Sequence, residues 1–262
     1  HQTADIMSAE YFSRWAAKFV DFEQRKDKLG FLYEVDARLR PYGSGSMLAS
    51  SQQAFLDYFN RQAQFWEKMA LSRARFVCGN PAIDRALDEL KQSLLFSHPI
   101  REEEIQQLLS MRQKIEASKK KETLKAGPGG IVDVEFIAQA LVLYYGWEYP
   151  SMRTTSTLAT LREARTLELI PIDQADELET SYIFLREVEN RLRIVNNVSM
   201  DHIPDDPVEL EKLTKRYALR MDQEQPSSER FLLTISTHTK KVRSIYHTFF
   251  AELLEKANPS HE

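Results

Sequence analysis

Glycine, cysteine and histidine are scarce in this sequence, and long apolar runs are missing. Eight glycines serve 262 residues, and three of them fall within Gly127–Gly130. Scarce glycine together with long periodic segments points to helices. The single cysteine, Cys78, excludes an internal disulfide and fits a reducing cytoplasm, where the chain is expected to reside. The histidines lie scattered, with no HExxH pattern and no Cys/His cluster, which argues against zinc. No apolar run approaches the roughly 18 residues that cross a bilayer, so no membrane partner is expected. The opening HQTADIMSAEYF lacks the basic and apolar regions of a signal peptide. It also lacks an initiator methionine, so the expectation is a piece of a longer or processed polypeptide. A formal charge of -4 leaves no basic excess of the kind a nucleic-acid binder carries.

What is present is an ordinary globular composition, 42% hydrophobic, in a length that suits one large domain or two modest ones. Phe12, Trp15, Ala16, Phe19 and Val20 follow helical spacing, as do Phe55, Tyr58, Phe59, Trp66, Met69 and Ala70. Ser50 with Gln53 reads as the cap of that second helix. One segment differs. From Phe31 to Arg40 the pattern has period two, with Phe31, Tyr33, Val35, Ala37 and Leu39 on one face and Leu32, Glu34, Asp36, Arg38 and Arg40 on the other. This predicts a strand, ended by a turn at Pro41, Gly43 and Gly45. Beyond Asn80–Pro81 the periodicity predicts helices at roughly 83–96, 101–121, 130–146, 155–168, 173–198, 207–221 and 227–257. The domains expected are therefore 1–80 and 81–262.

Two readings of the charged strand stand side by side. It suits a solvated edge strand whose charges pair across to a neighbour. It equally suits a phosphate-handling site. An aspartate offers Mg²⁺ a hard oxygen ligand, and arginines two residues apart on one face offer charge-assisted bonds to phosphate.

Four motifs favour the second reading. Tyr33–Ser51, YEVDARLRPYGSGSMLASS, resembles the VDxRLRPxGxxG segment of glutamine synthetase adenylyltransferases (glutamate-ammonia-ligase adenylyltransferases). FWEKMALSRARFVCGN at Phe65–Asn80 is similar to that family's W-E-x-x-A-L-x-R-A-R pattern, and GPGGIVDVEFIAQALVL at Gly127–Leu143 to its GGIxDxEFxxQ motif. SYIFLREVENRLRIVNN at Ser181–Asn197 resembles its Y-x-F-L-R-x-x-E-x-R-L signature. The matches come in family order.

The resemblance implies a mostly α chain: the end of a polymerase-beta-like α/β nucleotidyltransferase domain with a small remnant of sheet, then an all-helical bundle. It implies an enzyme that transfers AMP from ATP to a tyrosine of glutamine synthetase, with Mg²⁺ as cofactor. Asp36 maps onto the third metal-binding carboxylate, and Arg38 and Arg40 are expected to contact phosphate or to orient the carboxylates. The first two carboxylates belong to a G-S-D-x-D type motif that residues 1–30 do not contain, so the 262 residues alone are expected to be inactive. Glutamine synthetase and a PII-type signal protein are the implied partners. Ser72–Arg75, Met111–Lys114 and Gly130–Phe136 resemble the AMP-attaching C-terminal half. The alternatives are the deadenylylating, phosphorolytic half, and a non-catalytic helical module that docks either partner.

Other residues carry less specific expectations. Gly127–Gly130 lacks the lysine and spacing of a phosphate loop and reads as a helix stop and restart, with Gly129 or Gly130 at the cap of a helix beginning near Ile131. Asp133 and Glu135 lie two apart and share no helix face. They are expected to contact arginines of the catalytic domain, with metal binding as the alternative. Ile131, Val134, Ala138, Leu141 and Tyr145 form the expected buried stripe of that helix.

Overall fold

Serines set three of the helix starts. Ser51, Ser156 and Ser227 are N-caps whose side chains accept hydrogen bonds from the backbone N–H groups of Ala54, Ala159 and Arg230. Each satisfies one of the donors that a helix N-terminus leaves open. The first of these caps lies one residue beyond the expected Ser50. In the computed structural model the described residues are 2–26, 28, 35–118, 123–194, 202–218 and 227–258. They form two compact units, His1–Leu94 and Leu95–Glu262.

The first unit contains α1 (Gln2–Gln24), a 3-10 turn at Gly43–Gly45, α2 (Gln52–Arg61), α3 (Phe65–Leu71) and α4 (Pro81–Leu95) up to Leu94. Tyr58, Phe59, Met69, Leu71, Ala86 and Leu90 are its buried apolar residues. α4, which the sequence groups with the helical domain, packs here: the Lys91 ammonium donates to the Ala74 carbonyl. α1 is helical as its spacing predicts, but Phe12, Trp15 and Phe19 of its apolar stripe are exposed, with Tyr11 and Phe22 beside them. The helix is held from roughly the opposite side instead, where Ser13 Oγ accepts from Ala49 N and Gln24 Nε2 donates to Val35 O.

The strand expected at Phe31–Arg40 is not found where it is described. Phe31–Glu34 lie outside the described residues; Val35–Arg38 have no regular structure, and Leu39–Arg40 form a bend. A strand needs a ladder partner for its N–H and C=O groups, and the described residues include no second strand. The segment closes on itself, with Arg40 N bonded to Arg38 O and Gly43 N to Arg40 O. The small sheet expected at the end of an α/β domain is thus absent from the described residues.

The second unit comprises α5 (Glu102–Ala117), α6 (Ile131–Tyr145), a 3-10 turn at Pro150–Met152, α7 (Thr157–Thr166), α8 (Ile172–Ile194), α9 (Pro207–Ala218) and α10 (Ser228–Ala257). These follow the predicted helices closely; the predicted stretches 119–121, 195–198 and 219–221 lie outside the described residues. α6 is the axis of the unit. It is mostly apolar and buried from Ile131 to Leu143, with Asp133 and Gln139 enclosed and only Glu135 half-buried, and α5, α7, α8 and α10 pack against it. Each fully buried leucine or isoleucine, among them Ile137, Leu141, Leu178 and Leu185, contributes about 1.5–3 kcal/mol of transfer free energy. No helix among the described residues is long and apolar enough to cross a membrane.

Candidate functional site

Asp36 and Arg38 stand together on the outside of the first unit. The Asp36 side chain is 53% exposed and that of Arg38 is 80% exposed. The Arg38 guanidinium grips the carboxylate with two nitrogens, Nη2 at 2.6 Å and Nε at 2.9 Å, and the Arg38 backbone N–H adds a third bond at 3.0 Å. These bonds, from the guanidinium first, pull the Asp36 carboxyl down to about 2. At neutral pH the group is an ionised oxygen donor on an accessible surface.

Arg40, expected on the same face as Arg38, points elsewhere because the chain bends at Leu39. Its Nη1 donates to the Ala37 carbonyl, and its Nη2 donates to Ser44 O at 3.0 Å and Ser46 O at 2.9 Å. Its Nε is buried without a partner. Ser46 Oγ ties the same loop again through Pro41 O and Gly43 O. Tyr42 accepts a left-handed backbone, φ 61°, at the tip, and its ring meets Tyr58 of α2 edge-on at 4.6 Å. The Tyr58 hydroxyl in turn donates to Glu67 of α3 at 2.5 Å, a bond that pushes the phenol up from its ordinary value. Behind this loop lies a mostly apolar cavity of about 340 Å³, lined by Leu39, Arg40, Phe55, Phe59 and Leu71 among others.

The donor set can be tested against Mg²⁺. Asp36 is a hard oxygen ligand of the right kind. It is a single carboxylate, and the described residues contain no group of three or more His, Cys, Asp or Glu side chains placed to hold a metal. Among the described residues Asp36 is thus a single candidate oxygen ligand, with no second and third carboxylate placed beside it.

Asp133 and Glu135 of α6 share no face, and the partners of Asp133 lie within its own unit. Asp133 is fully buried and belongs to a charge cluster internal to the second unit. Its Oδ1 accepts from Arg112 Nε, and its Oδ2 accepts from Gly129 N at 2.7 Å and Arg243 Nη1 at 3.0 Å. Arg112, 1% exposed, also donates to Gly127 O, and Glu116 lies 3.1 Å from its Nη1. That Nη1 makes an ion-pair contact with Glu116 without hydrogen-bond alignment. Glu135 meets the Tyr182 hydroxyl of α8 at 3.3 Å. For Asp133, the expected contact with catalytic-domain arginines gives way to Arg112 and Arg243 of its own unit, in a lock of α5, α6, α10 and the glycine loop.

The loop itself is built for packing. Gly130 is the N-cap of α6. Gly129 has φ +69°, and a Cβ there would stand 1.8 Å from the Thr239 carbonyl of α10. Arg112 and Arg243 were not among the expected site residues. A signal for Arg112 existed: it stands at helical spacing from the fully buried Ile105 and Leu108, where an apolar residue belongs, so its charge requires a buried partner.

Two family models divide the chain. Residues 1–90 match the one described as glutamate-ammonia ligase adenylyltransferase. Residues 101–250, more than half of the sequence, match the one described as GlnD PII-uridylyltransferase. The interval between the two matches, residues 91–100, contains the boundary between the compact units in the sequence.

Proposed function

This chain belongs to the nucleotidyltransferases of the glutamate-ammonia ligase adenylyltransferase type, and from that premise we propose that it is the part of such an enzyme that attaches AMP to a tyrosine of glutamine synthetase. The observation that carries the reading is the exposed Asp36–Arg38 pair on a loop fastened to α2, inside the stretch matched to the adenylyltransferase model. In the proposed reaction the tyrosine oxygen forms a bond to the α-phosphorus of ATP. The bond from that phosphorus to the oxygen bridging to the β-phosphorus breaks, pyrophosphate leaves with the electron pair, and the phenol's proton passes to solvent.

Mg²⁺, when bound, would offset the negative charge of the triphosphate, and Asp36 would be one of its ligands. The chain's own contribution is positioning. The Asp36–Arg38 ion pair is local and solvent-screened, so an incoming triphosphate can take Arg38 for its own oxygens. That exchange leaves the Asp36 carboxylate open at the reacting centre. The site is cytoplasmic in this reading, and a PII-type signal protein is the regulatory partner, in keeping with the description of the model matched by residues 101–250.

A second reading keeps Leu95–Glu262 as a docking module for glutamine synthetase or the PII-type protein. Its self-contained core favours this role for that unit.

The test is AMP transfer from radiolabelled ATP to glutamine synthetase in the natural full-length protein. Asp36→Asn preserves shape and removes the charge. Loss of one such electrostatic contact lowers the rate by on the order of 10²–10³, with the melting curve unchanged because Asp36 is exposed. Near-normal turnover of Asp36→Asn would remove Asp36 from the reaction.

A further inference from the structure

Arg38 and Arg40 lie two residues apart in one motif, yet their guanidiniums meet different partners. Arg38 faces a carboxylate at the surface. Arg40 turns inward, and of its five N–H donors three are engaged by the carbonyls of Ala37, Ser44 and Ser46. A fourth, on Nε, is enclosed. A planar fork bonded to three carbonyls fixes the path of the backbone between them. Those carbonyls bracket the loop from the residue after Asp36 to the end of the Gly43–Gly45 turn. The loop is then fixed to α2 and α3 through the Tyr42–Tyr58 ring contact and the Tyr58–Glu67 bond.

We infer that Arg40 is a positioning residue: it pins the Ala37–Ser46 loop and so sets where Asp36 and Arg38 are presented, without touching the nucleotide. The inference rests on the proposed AMP transfer for its catalytic consequence, and on the loop geometry alone for its mechanical part. Lysine at this position keeps the positive charge but has a single nitrogen, which cannot span the three carbonyls. A phosphate contact tolerates that change better than a three-point backbone pin does.

The experiment compares Arg40→Lys with the unaltered sequence in the natural full-length protein, by steady-state AMP transfer and by amide hydrogen exchange. A displacement of about 1 Å at a reacting group lowers turnover by on the order of 100-fold. The expected result is therefore a fall in kcat of about that size with KM for ATP changed less than about threefold. Amide exchange at Gly43 and Ser46, whose N–H groups are bonded within the loop, should accelerate at least tenfold. Amides of α6 and α10 should keep their protection and serve as the folding control.

A tenfold or greater rise in KM with kcat and exchange unchanged would identify Arg40 as a phosphate ligand and overturn the inference. Unchanged exchange with unchanged kinetics overturns it as well. If the unaltered protein transfers no AMP, the functional reading fails by itself. The exchange arm still decides the pin: faster exchange in Arg40→Lys supports it, and unchanged exchange overturns it.

Discussion

His238 on α10 stacks on Phe184 of α8, with ring centroids 4.5 Å apart, and its Nδ1 lies 2.8 Å from the Ser181 hydroxyl. That hydroxyl is 3.0 Å from Glu177, whose other oxygen accepts from Lys241 at 2.7 Å. If the single Ser181 proton goes to the carboxylate, Nδ1 carries the hydrogen that bonds Ser181 Oγ. Burial lowers the imidazole below its ordinary value of 6.5, against the opposing pull of the Glu177 charge. Charged neighbours on both helices are thus accounted for by Glu177 and Lys241, while α9 contributes Tyr217 against Phe184. The folded state binds a proton less readily than the unfolded chain does. This contribution to stability is therefore complete above about pH 6.5 and is lost as pH falls through the lowered value. The melting temperature should drop between pH 7 and pH 5, and His238→Asn should flatten that slope. A His238 Hε1 resonance titrating at or above pH 6.5 would contradict the account.

At the level of elements, the glycine loop before α6 is defined by its close contact with α10. Gly129 needs its left-handed φ, and its hydrogen atom occupies the only space between two backbones. Gly129→Ala adds strain of about 1–3 kcal/mol to an overpacking cost of similar size, so urea denaturation should report a loss of about 2–6 kcal/mol. Gly45→Ala, with open space around the Cβ and an ordinary φ, should fall within about 0.5 kcal/mol of the parent. The helices were legible because each carries a cap or an apolar stripe within its own span. Gly130 as the cap of α6 could be narrowed to two residues from the same signals. No strand forms at the described Val35–Arg40, because alternation there signals a pleated surface only when another strand is alongside. The Asp36–Arg38 pair was legible as two neighbours in one motif. The inward turn of Arg40 was not, since it depends on where the carbonyls of Ser44 and Ser46 return. Nor was the destination of Asp133, whose partners lie 21 and 110 residues away.

At the scale of the whole chain, the buried charge cluster gives a way to ask whether Leu95–Glu262 stands on its own core. Leu124, Ile131, Phe184, Leu185, Val188, Leu192, Leu213, Phe231 and Ile235 form a continuous apolar cluster entirely within that unit. Arg112, Asp133, Glu116 and Arg243 close their charges within it too. A unit that satisfies both its apolar surface and its buried ions should unfold cooperatively by itself. Residues 95–262, expressed alone, should therefore be helical by circular dichroism and melt in one transition. Asp133→Ala is the probe. It leaves the buried Arg112 guanidinium with Glu116 as its one remaining carboxylate contact, its Nε unpaired, and Gly129 N without an acceptor, at a cost of about 3–5 kcal/mol. With roughly 2–4 °C per kcal/mol for a domain of this size, the midpoint should fall by about 10 °C. The fall should be equal, within a few degrees, in residues 95–262 and in the transition of the same unit in the 262-residue chain. A broad, non-cooperative melt of 95–262, or a much smaller shift there than in the longer chain, would mean that the core is completed by residues before Leu95.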